Sequence, residues 1–208
     1  FEEMLELSSL GAKVLQIRSV EFASKYQMPL RVLSSFNKSG GTLITKEDNS
    51  LESALISGIT CSNDDSKIIL RNVPDTPGIA AKILSPISEA GIDVDVIVQN
   101  VGSDKSTDFT FTVKNDLSEK AAKILKDLTE GFGGGEVELV KDVSKVSVVG
   151  VGMKSHAGVA AQMFGALANK KINIDMISTS EIKISVVVAK DKAEEAVIAL
   201  HDEFELDK

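Results

Sequence analysis

The chain has 208 residues, 43% apolar and 26% charged, an ordinary globular balance that excludes a disordered segment. Lys and Arg number 23 against 31 Asp and Glu, and no basic cluster offsets the formal charge of −8, so nucleic acid is not an expected partner. No apolar run nears the roughly 18–20 residues of a membrane span, and the single cysteine, Cys61, supports neither a disulfide framework nor a cysteine zinc site and fits a reducing cytoplasm.

Residue 1 is Phe, and the chain opens at once in a helical pattern without the layout of a signal peptide. It reads as a piece of a longer chain. Met4, Leu5, Leu7, Val14, Leu15 and Val20 recur at helical spacing over residues 1–26. Gly11 interrupts them, which predicts two short helices. Residues 28–36 alternate apolar and polar and read as a strand. Residues 37–41 (NKSGG) read as a turn, and 41–45 as a short extended piece. Residues 55–61 (LISGITC) read as a further strand. With no Trp, one Tyr and eight Phe, the core has to be aliphatic.

From Lys67 onward the sequence repeats itself. Residues 78–100 align without a gap on residues 158–180, an offset of 80. Gly78/Gly158, Ala80/Ala160, Ala81/Ala161, Ile92/Ile172, Asp95/Asp175 and Ile97/Ile177 are identical pairs. A strand precedes each copy, at 67–73 and 145–151. Another follows each, at 108–113 and 182–188. Amphipathic helices come next, at 117–128 and 192–204. The first copy closes with a strand at 136–140. Each unit therefore reads βαββαβ, the ferredoxin-like split unit, in an α+β fold. The second copy runs out after Phe204, too soon for its fourth strand. The spare strand at 55–61 is expected to complete that second sheet, because an open sheet edge is a liability.

Few residues offer catalysis. His156 stands before a helix without a second metal ligand or a nucleophile partner, and reads as a surface loop residue. His201 falls on the polar, solvated face of the last helix. The glycine run at 131–135 follows a helix and lacks Lys-Ser/Thr, so it reads as a connection and not as a phosphate cradle. Residues 150–155 (GVGMKS) have the wrong spacing for a phosphate loop. No metal ligand set and no catalytic set is expected. The informative places are the two strand-to-helix loops, 73–80 and 153–160. In each a Gly opens a helix, where backbone N–H groups and the positive helix end collect and suit a small carboxylate. Asp75 could fix an ammonium group beside it. Asp75 and Ser155 equally suit ordinary N-terminal caps, and both readings stand at this point.

Residues 3–15 (EMLELSSLGAKVL) with Arg18-Ser19-Val20-Glu21 resemble the end of the catalytic domain of the aspartate kinase family. Val98-Gln99-Asn100, the Gly152–His156 motif (GMKSH) and residues 177–185 (ISTSEIKIS) resemble that family's paired regulatory ACT domains. The resemblance runs along essentially the whole chain, but the catalytic body with its Lys-Phe-Gly-Gly motif is absent. It implies a parent enzyme that phosphorylates L-aspartate with MgATP at the committed step towards lysine, threonine, methionine and diaminopimelate. It implies an ACT pair that senses threonine, lysine or both, with no cofactor in this fragment. The family's effector contacts fall on Asp75, Pro77, Gly78, Ile79 and Ala80, then Asp95 and Gln99. In the second unit they fall on Met153, Ser155, Gly158, Val159, Asn173, Ile174, Asp175, Ser180 and Glu181. Lys13 and Val14 match a nucleotide-contacting spot of the catalytic domain; in a fragment without that pocket, Lys13 reads as a solvated lysine.

The resemblance implies a domain plan: 1–50 a remnant of the catalytic domain plus linker, 51–61 the strand completing the second ACT unit, 62–143 the first ACT unit and 144–208 the second. The family sometimes makes a separate regulatory subunit from an internal start, which would lie near Leu51. Family ACT sheets pair side by side. A homodimer is therefore expected in which Asn173 and Ile174 of one unit face the 75–80 loop of another, with apolar stretches 92–98 and 182–188 lining the contact. Threonine suits the first loop, with Gln99 serving its hydroxyl and Asp75 or Asp95 its ammonium. Ser155, Asp175 and Glu181 suit the distal ammonium of lysine. The fragment alone is expected to be inactive as a kinase. The alternative is a free-standing ACT-type module that regulates another enzyme or a transcription factor.

Overall fold

Two short helices open the chain, α1 (Glu2–Ser9) and α2 (Ile17–Lys25). Gly11, at φ +110°, turns the backbone between them; a Cβ there would sit 3.3 Å from the Cys61 carbonyl. Helix α2 buries only Val20 and Ala23. Next come two three-residue strands, β1 (Leu30–Val32) and β2 (Thr42–Ile44), paired antiparallel with Leu30 opposite Ile44. The strand expected over 28–36 is thus far shorter. Among the described residues no third strand extends this ribbon, and Leu33 and Phe36 stand exposed. The computed structural model describes residues 1–37, 40–46, 55–102, 106–131 and 135–207. The middle of the expected 37–41 turn, the segment around Leu51 and most of the 131–135 glycine run lie outside the described residues.

The body of the molecule is β3 (Gly58–Pro74), α3 (Ile79–Glu89), β4 (Ile97–Val101), β5 (Ser106–Lys114), α4 (Asn115–Gly131), β6 (Glu136–Val149), α5 (Val159–Asn169), β7 (Met176–Thr179), β8 (Lys183–Ala189) and α6 (Ala193–Glu203). Its strands form one antiparallel sheet in the order β4-β5-β3-β6-β8-β7. The two βαββαβ units are therefore halves of a single sheet. The burial pattern of residues 91–100 recurs position for position in 171–180, so the sequence repeat is also a repeat in packing.

The strands at the centre differ from the sequence reading. The segments read as separate strands at 55–61 and 67–73 are one element, β3, which begins at Gly58. Those read at 136–140 and 145–151 are likewise one element, β6. The polar stretches between them, SNDDS in β3 and KDVS in β6, look like turns on composition. They stay extended because they pair with each other. Ser62 lies opposite Lys145, Asp65 opposite Val143 and Lys67 opposite Val140, so an extra residue enters first on β3 and then on β6. Such paired bulges raise the local twist while keeping the overall register. Residues 58–62 pair with 145–149 of the second unit, and 65–71 pair with 136–143.

Alternation along each strand sends one set of side chains to the helices and the other to the opposite face. Ile68, Leu70, Phe109 and Phe111 meet Ile79, Ile83 and Ile87 of α3 and Leu125 of α4. Val146, Val148, Val186 and Val188 meet Val159, Met163 and Leu167 of α5 and Leu200 of α6. Ile79, Ile83 and Ile87 are spaced four apart and make one buried stripe; each is worth about 1.5–3 kcal/mol on burial. A third, small cluster joins the halves, built from Val96, Val143, Met176 and Val187. Two ion pairs reinforce it, and they are reciprocal. Lys67 of the first unit holds Asp175 of the second at 2.7 Å, and Lys145 of the second holds Asp95 of the first. Both lysines are buried.

The junction itself is polar. Asp65 is buried, and one carboxylate oxygen accepts from Lys114 Nζ at 2.8 Å. Asn63 Oδ1 accepts from the Ser144 hydroxyl at 2.6 Å and from the Cys61 thiol at 3.2 Å. Burial, and then the charge of Asp65, push the Cys61 thiol above its ordinary value, which leaves it a poor nucleophile.

Close approach of two backbones at the end of β6 gives a test. A Cβ on Gly150 would lie 2.3 Å from the Leu55 carbonyl oxygen and 2.7 Å from Ile56 Cα. Gly150→Ala must push the lead-in to β3 away from β6. A loss of about 1–3 kcal/mol, read as a lower urea midpoint, is expected; an unchanged midpoint would contradict this packing.

Candidate functional site

The two strand-to-helix loops have matching geometry. Gly78 opens α3 at φ +91°, and Gly158 opens α5 at φ +100°. A side chain strains such a backbone, while the space around each Cα is open, so the conformation and not crowding calls for glycine. Neither helix has a side-chain N-cap, so Asp75 and Ser155 do not cap α3 and α5. The amides are less available than the spacing implies. Ile79 N–H donates to the Thr76 carbonyl at 3.1 Å and is not free for a carboxylate. Asp75, Pro77 and Gly78 are exposed, Ile79 is buried and Ala80 half-buried.

Around the second loop a cleft of about 470 Å³ is lined by Met153, Lys154, His156, Gly158, Val159 and Ala160 on one side and Thr179, Ser180, Glu181 and Ile184 on the other. A single turn of 3-10 helix, Val151–Ser155, forms its rim. The turn is braced internally: His156 Nδ1 donates to the Gly152 carbonyl at 2.9 Å, and the Ser155 hydroxyl reaches the same oxygen at 3.3 Å. Ser180 N–H donates to the Lys183 carbonyl at 2.8 Å and closes the opposite wall. The cleft offers an exposed carboxylate, Glu181, beside apolar walls at Met153, Val159 and Ile184. That combination can hold a small zwitterion with an aliphatic body.

Five residues expected at the second site therefore converge: Met153, Gly158, Val159, Ser180 and Glu181. Ser155 sits on the rim turn. Asn173, Ile174 and Asp175 do not join them. Ile174 and Asp175 line a different groove of about 420 Å³, with Lys67, Arg71, Asn100 and Asp108 on the face away from the helices. Asp175 is engaged there on both oxygens, by Lys67 and by Asn173 Nδ2 at 3.1 Å. Asp95 is held by Lys145. The two aspartates read as ammonium ligands are thus engaged by buried lysines of the opposite unit. The Asp75–Ala80 residues line neither cleft. Gln99 is exposed on β4, opposite Phe109 of β5. Lys13 and Val14 lie exposed between α1 and α2, and His201 is half-buried on α6.

Sequence reasoning missed Lys67, Lys145, Thr179 and Ile184. The lysines had a signal. Each opens the first strand of its copy, where it stands polar before an apolar run, and an identical Asp follows in both copies. It also missed the acidic side chains of α1. Glu3 accepts from Val151 N–H at 3.0 Å and from the Ser57 hydroxyl at 2.5 Å, Glu2 pairs with Lys154 at 3.1 Å, and Glu6 pairs with Lys183 at 3.0 Å.

Comparison with known proteins agrees with this architecture. ACT domain family models match residues 68–130 and 146–204. An aspartate kinase of Pseudomonas fluorescens is 59% identical over all of this chain, which covers 50% of that protein. The chain thus spans about half the length of the curated relatives it matches. The regulatory subunit of aspartate kinase from Thermus thermophilus is 41% identical, with a TM-score of 0.69; the match covers 72% of this chain and 99% of that one. An aspartate kinase of Clostridium acetobutylicum has a TM-score of 0.83 at 25% identity, over 98% of this chain and 47% of that one. With a relative matched over almost its whole length and a repeat of the same fold in both halves, the chain belongs to the aspartate kinase family, as its regulatory region with two ACT domains.

Proposed function

We propose that this region binds end-product amino acids and, through them, restrains a kinase body that phosphorylates L-aspartate. The observation that carries the reading is the cleft where Met153, Gly158, Val159, Ser180 and Glu181 converge. In it the ligand's carboxylate lies at the opening of α5, where the helix dipole favours negative charge. Glu181 takes an ammonium group. The apolar walls accept the methylenes of lysine. Binding inhibits only to the extent that the ligand prefers the inhibited arrangement, a coupling of about 1–3 kcal/mol.

Threonine is assigned to the first loop, with Gln99 as the partner of its hydroxyl. In one chain that loop lacks a second wall, since Asp75–Ala80 line neither cleft. A second copy supplies it. The sheet has two open edges, β4 and β7, and the equivalent residues Ile97 and Ile177 on them are 45% and 44% exposed. Under a two-fold axis, β4 of one chain beside β7 of its partner closes both edges at once and brings Asn173 and Ile174 towards the 75–80 loop.

The N-terminal segment is read as the end of the kinase body. Val14, Phe22, Tyr26, Met28 and Phe36 are all more than half exposed, a concentration of apolar surface that fits a covering partner. MgATP and aspartate belong to that body. This chain spans about half of its kinase relatives, and it is expected to be inactive alone. The single cysteine, Cys61, which leaves no internal disulfide framework, fits a cytoplasmic protein.

Calorimetric titration with L-lysine, L-threonine and L-methionine tests the sensor. Saturable binding of lysine or threonine is expected. Glu181→Gln should weaken lysine and Gln99→Ala should weaken threonine, each about tenfold. Absence of heat and of competition with all three amino acids would contradict the reading, and the opposite pattern of losses would exchange the two sites. Light scattering tests the assembly. A dimer is expected with threonine or lysine present, and a monomer at every concentration would rule it out.

A further inference from the structure

Helix α1 grips the second-unit cleft from behind. Glu2, Glu3 and Glu6 lie on one side of this helix, at spacing that places them together. All three reach the second unit. Glu2 pairs with Lys154 on the near wall of the cleft, and Glu6 pairs with Lys183, which stands between the lining residues Glu181 and Ile184 on the far wall. Glu3 takes the N–H of Val151, the first residue of the turn that carries Met153 and Lys154. One turn of helix therefore holds both walls.

The three contacts are not equal. Glu2 and Lys154 are 62% and 40% exposed, and a pair so open to water contributes little. The Glu6–Lys183 pair is more sheltered but joins two flexible side chains. Glu3 differs because its partner is backbone. The first N–H of a helical turn has no partner within the turn, and a carboxylate bond to it is strong and directional. The Ser57 hydroxyl, donating to the same Glu3 oxygen, fixes the carboxylate in place. A shift of the 151–155 turn must therefore move Glu3 or break its bond. Beyond Glu3, α1 is tied to the sheet at its far end, where the Thr60 hydroxyl donates to the Leu10 carbonyl at 3.2 Å and Gly11 lies against Cys61. The exposed Lys13 and Val14 follow directly.

We infer that Glu3 is the positioning residue through which occupancy of the second-unit cleft is read by α1 and passed to the 10–14 segment. This rests on the reading of the cleft as an amino-acid site. A ligand seated between Met153 and Glu181 immobilises the turn, the immobile turn holds the Val151 N–H, and Glu3 holds α1. By thermodynamic reciprocity, whatever fixes α1 also tightens the cleft.

Hydrogen exchange of residues 2–9, measured with and without saturating L-lysine, the amino acid assigned to this cleft, tests this. Calorimetry on the same samples establishes that the amino acid is bound. Bound ligand should slow exchange across α1 by about fivefold or more. Glu3→Gln keeps a carbonyl oxygen for the Val151 N–H and should keep most of the response. Glu3→Ala should abolish it while exchange in α3 and the circular dichroism stay unchanged. Glu2→Ala, which removes only an exposed pair, should keep it. Bound ligand without a change in α1, a response that survives in Glu3→Ala, or one that is lost equally in Glu2→Ala would each overturn the inference and leave the cleft assignment standing. Failure of L-lysine to bind would overturn the cleft assignment, and the inference with it.

Discussion

The long antiparallel pairing of β3 with β6 is the constraint on which everything else rests. Each strand serves both units. Residues 65–71 of β3 and 136–143 of β6 build the first, and 58–62 with 145–149 build the second. A repeated unit that lacks its fourth strand cannot close its own sheet. Here the strand missing from the second copy arrives from before the first. The two halves are locked without a separate linker between their sheets, and the bulges at Ser62–Lys67 set the twist between them.

That shared frame decides what the bare face of the sheet must do. It carries Lys67 and Lys145 into positions sheltered from water, where an unpaired ammonium would be costly. The opposite unit answers with Asp175 and Asp95. The reciprocity follows from the repeat: the same Lys and the same Asp recur in each copy, and an approximate two-fold relation makes each lysine meet the other copy's aspartate. These aspartates lie in the segments that lead into the edge strands β7 and β4. The ion pairs therefore tie the strand edges of one unit to the centre of the other, and a displacement at either edge is felt across the frame.

Much of this was legible in the residues. The gapless repeat located both helix-opening glycines, and both stand at a positive φ that favours glycine. Periodicity found the helices and the apolar strands. What it could not show was contact between distant segments. SNDDS and KDVS look like turns until each is seen paired with the other. Asp95 and Asp175 look like free carboxylates until Lys145 and Lys67 are seen beside them. Ile79 N–H looks available until it meets the Thr76 carbonyl. Glu3 gave no signal at all, since its partner Val151 lies 148 residues away. Local pattern specifies elements; it does not specify which polar groups the fold will bring together.

Coupling across the shared frame requires the two halves to act as one mechanical body, and native-state hydrogen exchange in rising urea tests that most directly. The slowest amides of β5 report the first unit and those of β8 the second. If β3 and β6 bind the halves together, both sets exchange through the same opening, with one free energy and one denaturant dependence. If β8 and its neighbours open at a lower free energy while β5 stays protected, the units are separate bodies, and the shared frame does not carry signals between them.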